Sequence, residues 1–374
     1  MKKYAKFLIS FLVLVFFILL FVSYRLDIKK NEEYLKATQG KKLEKIALIS
    51  TLAGVDDESF CQAAWTAVRE FGNKYNIEYQ YYMPLSDAVV EISNSVELAV
   101  ADGATIIVMP SFHATYSLYE THRKYPSVKF IGIDMSPLPN FPKLGKNTFM
   151  FTFHEEEVGY LAGYATVIEG YTRLGYIGGM AVTPVIRYGY GFLLGADAAA
   201  RKLNKKIRVN YYYAGQFFGD ANISAKMDGW YSSGTQVIFA AGGTLCMSVL
   251  EAAVPYKGMM IGVDTDQHHL GISRTNYDPV LTSAMKNITA TVGDILLSAI
   301  YGGWDEIGGT HRIVSVKDGD YLGLPTAKES WQFKHFTRQE YNKLLHDIRS
   351  DKITINCNIY QVPHLTNTKL HFVE

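Results

Sequence analysis

The chain has 374 residues, enough for two domains with sizeable cores. Lys and Arg number 37 against 36 Asp and Glu, so the net charge of +1 gives no electrostatic case for nucleic acid. Three cysteines (Cys61, Cys246 and Cys357) make no disulfide framework, and ten scattered histidines show no metal-site spacing, so neither metal nor cofactor is expected. A Cys61–Cys246 bridge is conceivable but unsupported, and the adjacent His268 and His269 read as surface residues.

Lys2, Lys3 and Lys6 precede an apolar run over 7–22 that is broken only by Ser10. Positive residues ahead of such a run orient its N-terminus to the cytoplasm. No A-x-A cleavage site follows, since the chain continues Val22-Ser23-Tyr24-Arg25. Residues 1–23 therefore read as an uncleaved anchor, with the rest of the chain on the extracytoplasmic face of the cell membrane. The run is slightly short for a span, so a cleaved signal is the alternative. Residues 24–44 are polar and rich in Lys and Glu, as a linker is.

From Lys45 onward, short apolar runs alternate with helical patterns. Strands are expected at 46–50, 79–82, 105–109, 129–133 and 148–153, then at 174–178, 209–213, 236–240, 259–263 and 280–285. Helical periodicity covers 59–74, 87–101, 115–124, 155–168, 185–203, 221–233, 247–254 and 288–301. This alternation implies parallel sheets with right-handed crossovers. One sheet of so many strands would be large, and the pattern restarts after Phe153. The expected fold class is α/β, in two lobes around a cleft. The first lobe is drawn as 45–152 plus 264–304, the second as 153–263 plus 305–329, and 330–374 as a C-terminal extension. Within the extension, Thr337 and Glu340 suit a capping box and 352–363 looks strand-like.

Unusual residues gather at the carboxyl ends of these strands, where open α/β sheets bind ligands. Phe60 opens a helix after Gly54-Val55-Asp56-Asp57-Glu58-Ser59, and an ordinary core Phe behind a capped helix is the plainer reading of it alone. Asp134, Gly179, Gly242-Gly243-Thr244, Asp264 and Lys286 also follow strands, with Phe217-Phe218 just beyond another. Singly, these are a helix cap, a tight turn or a solvated lysine. Together they describe a site: Phe60 and Phe217 can sandwich a ring, and Asp264 can accept from vicinal hydroxyls. Lys286 can donate to a hydroxyl or ring oxygen, and Gly242-Gly243 lets backbone N–H groups approach closely. A flat ring with a polyol is a nucleoside. Tyr188 is included among the candidate ligand contacts.

These residues resemble the basic membrane protein family, the nucleoside-binding components of bacterial ABC importers, over roughly 45–325. The motifs are 54–60, Glu155-Glu156-Glu157-Val158-Gly159-Tyr160-Leu161-Ala162-Gly163, Gly178-Gly179-Met180, 191–196, Ala241-Gly242-Gly243-Thr244, 261–267 and 281–287. The resemblance implies a two-lobed type I periplasmic-binding-protein fold that closes on its ligand, a monomer that binds a small molecule, and an ABC permease as partner. It further implies that Phe60 and Phe217 stack the base, Asp134 contacts it, and Asp264 and Lys286 hold the ribose. Alignment in the 217–218 loop slips by one residue. Departures fall on the base side: Thr51 stands where the family commonly has Asp, and Cys61 where it has Asn. Leu245-Cys246 replaces Gly-Asn, and the family's lipid-bearing Cys is missing, which suits the anchor. Altered base preference is the consequence.

Two rivals stand beside this reading. A cleft enzyme could use Asp134 and Asp264 as a carboxylate pair, and Gly189 to Gly195 resembles a loose dinucleotide fingerprint; no nucleophile elbow, Walker motif or H-E-x-x-H supports an enzyme. A membrane-anchored sensor would share every feature of the importer component.

Overall fold

The computed structural model describes residues 44–272 and 277–373; the apolar run at 7–22 and linker residues 24–43 lie outside the described residues. The chain opens with β1 (Lys45–Ile49), α1 (Phe60–Tyr75), β2 (Glu78–Tyr82), α2 (Val89–Ala101), β3 (Ile106–Pro110), α3 (Thr115–Lys124), β4 (Lys129–Ile133) and β5 (Thr148–Phe153). It continues through α4 (Glu155–Ile168), β6 (Arg173–Gly178), α5 (Thr183–Lys202), β7 (Ile207–Tyr213), α6 (Ala221–Ser232), β8 (Val237–Ala241), α7 (Leu245–Ala253), β9 (Met259–Asp264), α8 (His268–Ile272) and β10 (Val280–Lys286). Then follow α9 (Ile288–Tyr301), α10 (Trp304–Ile307), β11 (Thr310–Val314), β12 (Leu322–Gly323), α11 (Arg338–Arg349) and β13 (Thr368–Phe372).

Two sheets form, in the orders β11-β5-β4-β3-β1-β2 and β12-β10-β9-β8-β6-β7-β13. Every pairing is parallel except β10 with β12. Central strands such as Ile106–Pro110 and Val237–Ala241 are buried throughout, because helices cover both faces of a parallel sheet. That is why they read as unbroken apolar runs. The two-lobed, periplasmic-binding-protein-like α/β architecture is as expected, and the expected strands and helices over 45–301 appear with ends within two residues.

Lobe boundaries differ from expectation. β10 pairs with β9 in the second sheet, because β9, α8 and β10 form one βαβ unit that a break at Asp264 would have split. Next, α9 returns to the first lobe, packing against α1. β11 pairs with β5 and so belongs to the first sheet, although 305–329 was drawn in the second lobe. The chain therefore crosses between lobes after Phe153, after Lys286 and between Val314 and Leu322.

The C-terminal extension folds onto the second lobe. Thr337 and Glu340 form the expected capping box. The strand drawn at 352–363 is absent; β13 forms instead at 368–372, parallel to β7. Buried Asp197 on α5 fixes it by accepting from Asn367 N at 2.7 Å and Thr368 Oγ1 at 2.9 Å. His268 is buried against Asp278 rather than on the surface, because one face of the short α8 packs on β10. His269 is exposed. Cys61 and Cys246 are both buried, and no disulfide joins them.

The glycines from 189 to 195 are not a phosphate cradle. α4 and α5 pack so closely that a Cβ on Gly191 would lie 2.2 Å from the Glu156 carbonyl, and one on Gly159 2.3 Å from the Tyr188 carbonyl. Glycine is the residue that lets two helix backbones meet this closely. This contact fixes Glu155 at the start of α4 against Arg187 and Tyr188 on α5.

Candidate functional site

The site centres on Lys286, the last residue of β10. Its ammonium is 3% exposed and lies 2.5 Å from Asp134 Oδ2, 3.4 Å from Glu155 Oε1 and 3.8 Å from Asp264 Oδ1. Asp134 comes from the end of β4 in the first lobe, and Glu155 from the first crossover. Asp264 ends β9 in the second lobe. Asp134 and Asp264 both adopt left-handed backbone, with φ of 54° and 63°, which turns each carboxylate back over its strand end. Rings surround the same ammonium: the centroids of Phe60, Phe153 and Tyr188 lie 5.0, 5.2 and 5.8 Å away.

Three carboxylates surround the ammonium, with the Arg187 guanidinium 3.9 Å from Glu155 as a second cation. Burial pulls Lys286 down, but Asp134, Glu155 and Asp264 together outweigh it and hold the ammonium above its ordinary value. Burial raises Asp134 even though Lys286 opposes the rise. Burial also pushes Glu155 up to about 8, with Lys286 and Arg187 opposing and Asp134 and Glu156 adding to the rise. Burial thus favours the protonated form of Glu155. Asp134 Oδ1 is buried and has no hydrogen-bond partner among the described residues. A buried acceptor in that condition costs about 1–3 kcal/mol until a donor reaches it.

The loop before α1 supplies the opposite wall. Asp57 accepts from the N–H groups of Ser59, Cys61 and Gln62 at 3.1, 2.9 and 2.9 Å and so caps the helix. Ser59, freed from capping, sends its hydroxyl to Asp264 Oδ2 at 2.7 Å, while Tyr188 OH donates to Asp264 Oδ1 at 3.1 Å. Phe60 is half-buried, so it is not a fully enclosed core side chain. Thr51 is half-buried and bridges to Gly54. Cys61 is fully buried against Thr51; burial pushes its thiol up to about 12, which leaves it uncharged.

On the second lobe, the phenyl ring of Phe217 is set by glycines. A Cβ on Gly179 would fall 2.4 Å from Phe217 Cδ1, and one on Gly243 2.7 Å from the Phe217 carbonyl. Gly242 and Gly243 therefore make room for this loop, where close approach to a ligand was the expectation. Phe217 is half-buried against these glycines and Phe218 is 59% exposed, which separates the two residues that the sequence left a position apart.

The fold thus gathers Asp134, Tyr188, Asp264, Lys286 and Phe60 within one cluster, with Phe217, Gly242 and Gly243 as a second group. Sequence reasoning missed Glu155, Arg187, Phe153 and Ser59. Glu155 and Phe153 flank the end of a strand, the same signal that found Asp134. Arg187 donates to the Phe153 carbonyl at 2.8 Å and had no such marker. Lys286 sits between Asp134 and Asp264, where a glycosidic pair would need the scissile bond, so the arrangement suits binding rather than hydrolysis.

Known proteins agree with this architecture. Residues 44–358 match the Bmp family, described as ABC transporter substrate-binding protein PnrA-like. The ABC transporter nucleoside-binding protein BmpA of Lactococcus lactis subsp. cremoris is 27% identical over 329 residues, covering 83% of this chain and 88% of its own. A CD4+ T-cell-stimulating antigen of Listeria monocytogenes is 28% identical over 301 residues, covering 75% of this chain and 79% of its own. The fold is shared with a solved solute-binding protein of an ABC transporter system from Aeropyrum pernix K1, at a TM-score of 0.65 and 19% identity over 84% of this chain and 87% of that one. Because the family match runs through both lobes and every residue of the Lys286 cluster, the chain belongs to the Bmp family of PnrA-like ABC transporter substrate-binding proteins.

Proposed function

We propose that this chain is an extracytoplasmic receptor that captures a nucleoside-like molecule between its lobes and passes it to an ABC permease. Membership of a substrate-binding family makes it a binding protein and not an enzyme. The observation that carries the ligand class is the Lys286–Asp134–Asp264 cluster beside Phe60, which offers charged partners for hydroxyls next to an aromatic face. Phe60 and Phe217 stack the ring, and Asp134 Oδ1 takes a donor from its edge. Asp264 and Lys286 hold the sugar hydroxyls. Thr51 and Cys61 bias which base is accepted, and Tyr188 steadies Asp264. The N-terminal segment holds the receptor at the membrane, so membrane-fraction protein retains its full mass; a soluble form beginning near Arg25 would replace anchor with cleaved signal.

The test is calorimetry on the full chain in detergent, with nucleosides, free bases and hexoses as titrants. Micromolar or tighter binding of at least one nucleoside is expected. Binding of free bases or hexoses with no response to any nucleoside overturns the sugar assignment of Asp264 and Lys286.

A further inference from the structure

A groove of about 620 Å³ opens in the C-terminal extension, and none of its lining residues belongs to the Lys286 cluster. One wall is β13, through Thr368 and Leu370; the other is the segment before it, through Asn356, Asn358, Gln361 and Leu365. The family match ends at residue 358, so most of this groove is built from residues beyond it.

β13 is the last strand of its sheet, so only one of its edges is paired. Ile207 N–H donates to the Asn367 carbonyl at 3.0 Å, and Val373 N–H to the Tyr211 carbonyl at 2.9 Å. Alternate residues of a parallel strand turn their backbone groups to the same neighbour. Asn367, Lys369, His371 and Val373 therefore face β7, while Thr368, Leu370 and Phe372 turn their N–H and C=O groups outward. Two of these three line the groove.

The facing wall has the pattern of a strand without a partner. From 353 to 360 the residues alternate between half-buried and exposed, the period of a strand. Ile353, Ile355 and Cys357 pack on the core. Among the described residues, the N–H groups of 354–359 donate to no backbone carbonyl. Two unpaired stretches of backbone thus border one groove.

Side chains narrow the occupant. No acid lines the groove. Leu365 and Leu370 turn toward the core, whereas Lys369 and His371 are exposed on the other face of β13. A strand beside β13 alternates in step with it, so apolar side chains would meet Leu370 and acids would meet Lys369. An edge lysine opposes pairing with a copy of itself, which would bring both Lys369 ammoniums onto one face.

We propose that this groove receives an extended, acidic segment of a partner protein, which joins the second sheet as an eighth strand beside β13. Main-chain hydrogen bonds supply the affinity in strand addition of this kind, and alternate side chains supply the selectivity. The site is separate from the cleft and does not rest on the ligand assigned there.

The test uses the full chain in detergent and an acetylated synthetic peptide, Val-Glu-Val-Glu-Val-Glu, with hydrogen exchange read by mass spectrometry. The peptide should slow exchange over 354–373 about tenfold or more, the equivalent of one good hydrogen bond. It should leave Lys45–Ile49 unchanged. A peptide with N-methyl valines, which lacks the donors, and one with Lys in place of Glu should give no protection. Leu370→Pro removes an outward N–H that β7 does not use, so it should abolish protection. Lys369→Glu changes only an exposed side chain and should weaken the acidic peptide about fivefold even where Leu370→Pro fails to fold. Three outcomes overturn the proposal: no protection by the acidic peptide, equal protection by its N-methyl form, or protection that rises with protein concentration in the absence of peptide, which would make a second copy the occupant.

Discussion

Glu155→Gln removes a carboxyl charge from the Lys286 cluster and keeps an oxygen to accept from it. Glu155 is buried, and burial pushes its carboxyl from 4.5 up to about 8, against the pull of Lys286 and Arg187. The folded chain therefore holds a proton there that the unfolded chain releases on passing 4.5. For a carboxyl raised in this way, the stabilisation is fully present below pH 4.5 and is lost as the pH rises through about 8. At about 1.4 kcal/mol per pH unit, the loss over that window is on the order of 5 kcal/mol. Glutamine has no proton to lose, so the variant escapes the decline. Denaturant unfolding of both proteins at pH 5, 6.5 and 8 isolates the effect, because other buried acids such as Asp134 and Glu157 contribute to both. The variant should gain on the wild type steadily from pH 5 to pH 8. A wild-type-minus-variant difference that stays flat across this range would falsify the protonated Glu155.

Three further outcomes are expected. Phe60→Ala should weaken nucleoside binding by about 1–3 kcal/mol in calorimetry, the scale of base–aromatic stacking; unchanged affinity with a large fall in melting temperature would return the ring to the core. Gly179→Ala puts a methyl 2.4 Å from the Phe217 ring, so overpacking should cost about 1–3 kcal/mol of stability and binding should weaken as Phe217 moves; the idea fails where melting temperature drops and affinity holds. Thr51→Asp with Cys61→Asn should strengthen purine nucleoside binding about tenfold, one good hydrogen bond; wild-type protein that already binds purine nucleosides at nanomolar strength, with no gain on mutation, shows these departures to be silent.

Strands were legible because each buried parallel strand is a short apolar run with no competing periodicity, as in Ile106–Pro110. Asp134, Asp264 and Lys286, named from strand ends, lie in one cluster because the sheets' carboxyl edges face one place and Asp134 and Asp264 turn left-handed there. Glu155 entered only as part of the family motif and was given no role; three consecutive acids are also favourable charge at a helix N-terminus, which masks any other use. Its place in the cluster depends on Lys286, 131 residues away, a partner that periodicity does not reveal. Lobe membership after Asp264 was missed for a related reason: sheet order is set by pairing, and no local signal says which sheet β10 or β11 joins. β13 was invisible because an exposed edge strand of the sequence TKLHF has only one face to bury.

Both sheets take an outer strand from late in the chain. β11 completes the first beside β5, and β13 completes the second beside β7. A chain made from its N-terminus therefore leaves the first sheet unfinished until β11 is made and the second until β13 is made. Through that time β5 and β7 present open edges, which are templates for pairing with another chain. Pairing residues so distant in sequence also slows folding. β13 thus governs how much of the protein is recovered: removing Thr368–Phe372 leaves Ile207–Tyr213 as a bare edge, and aggregation is the failure to look for.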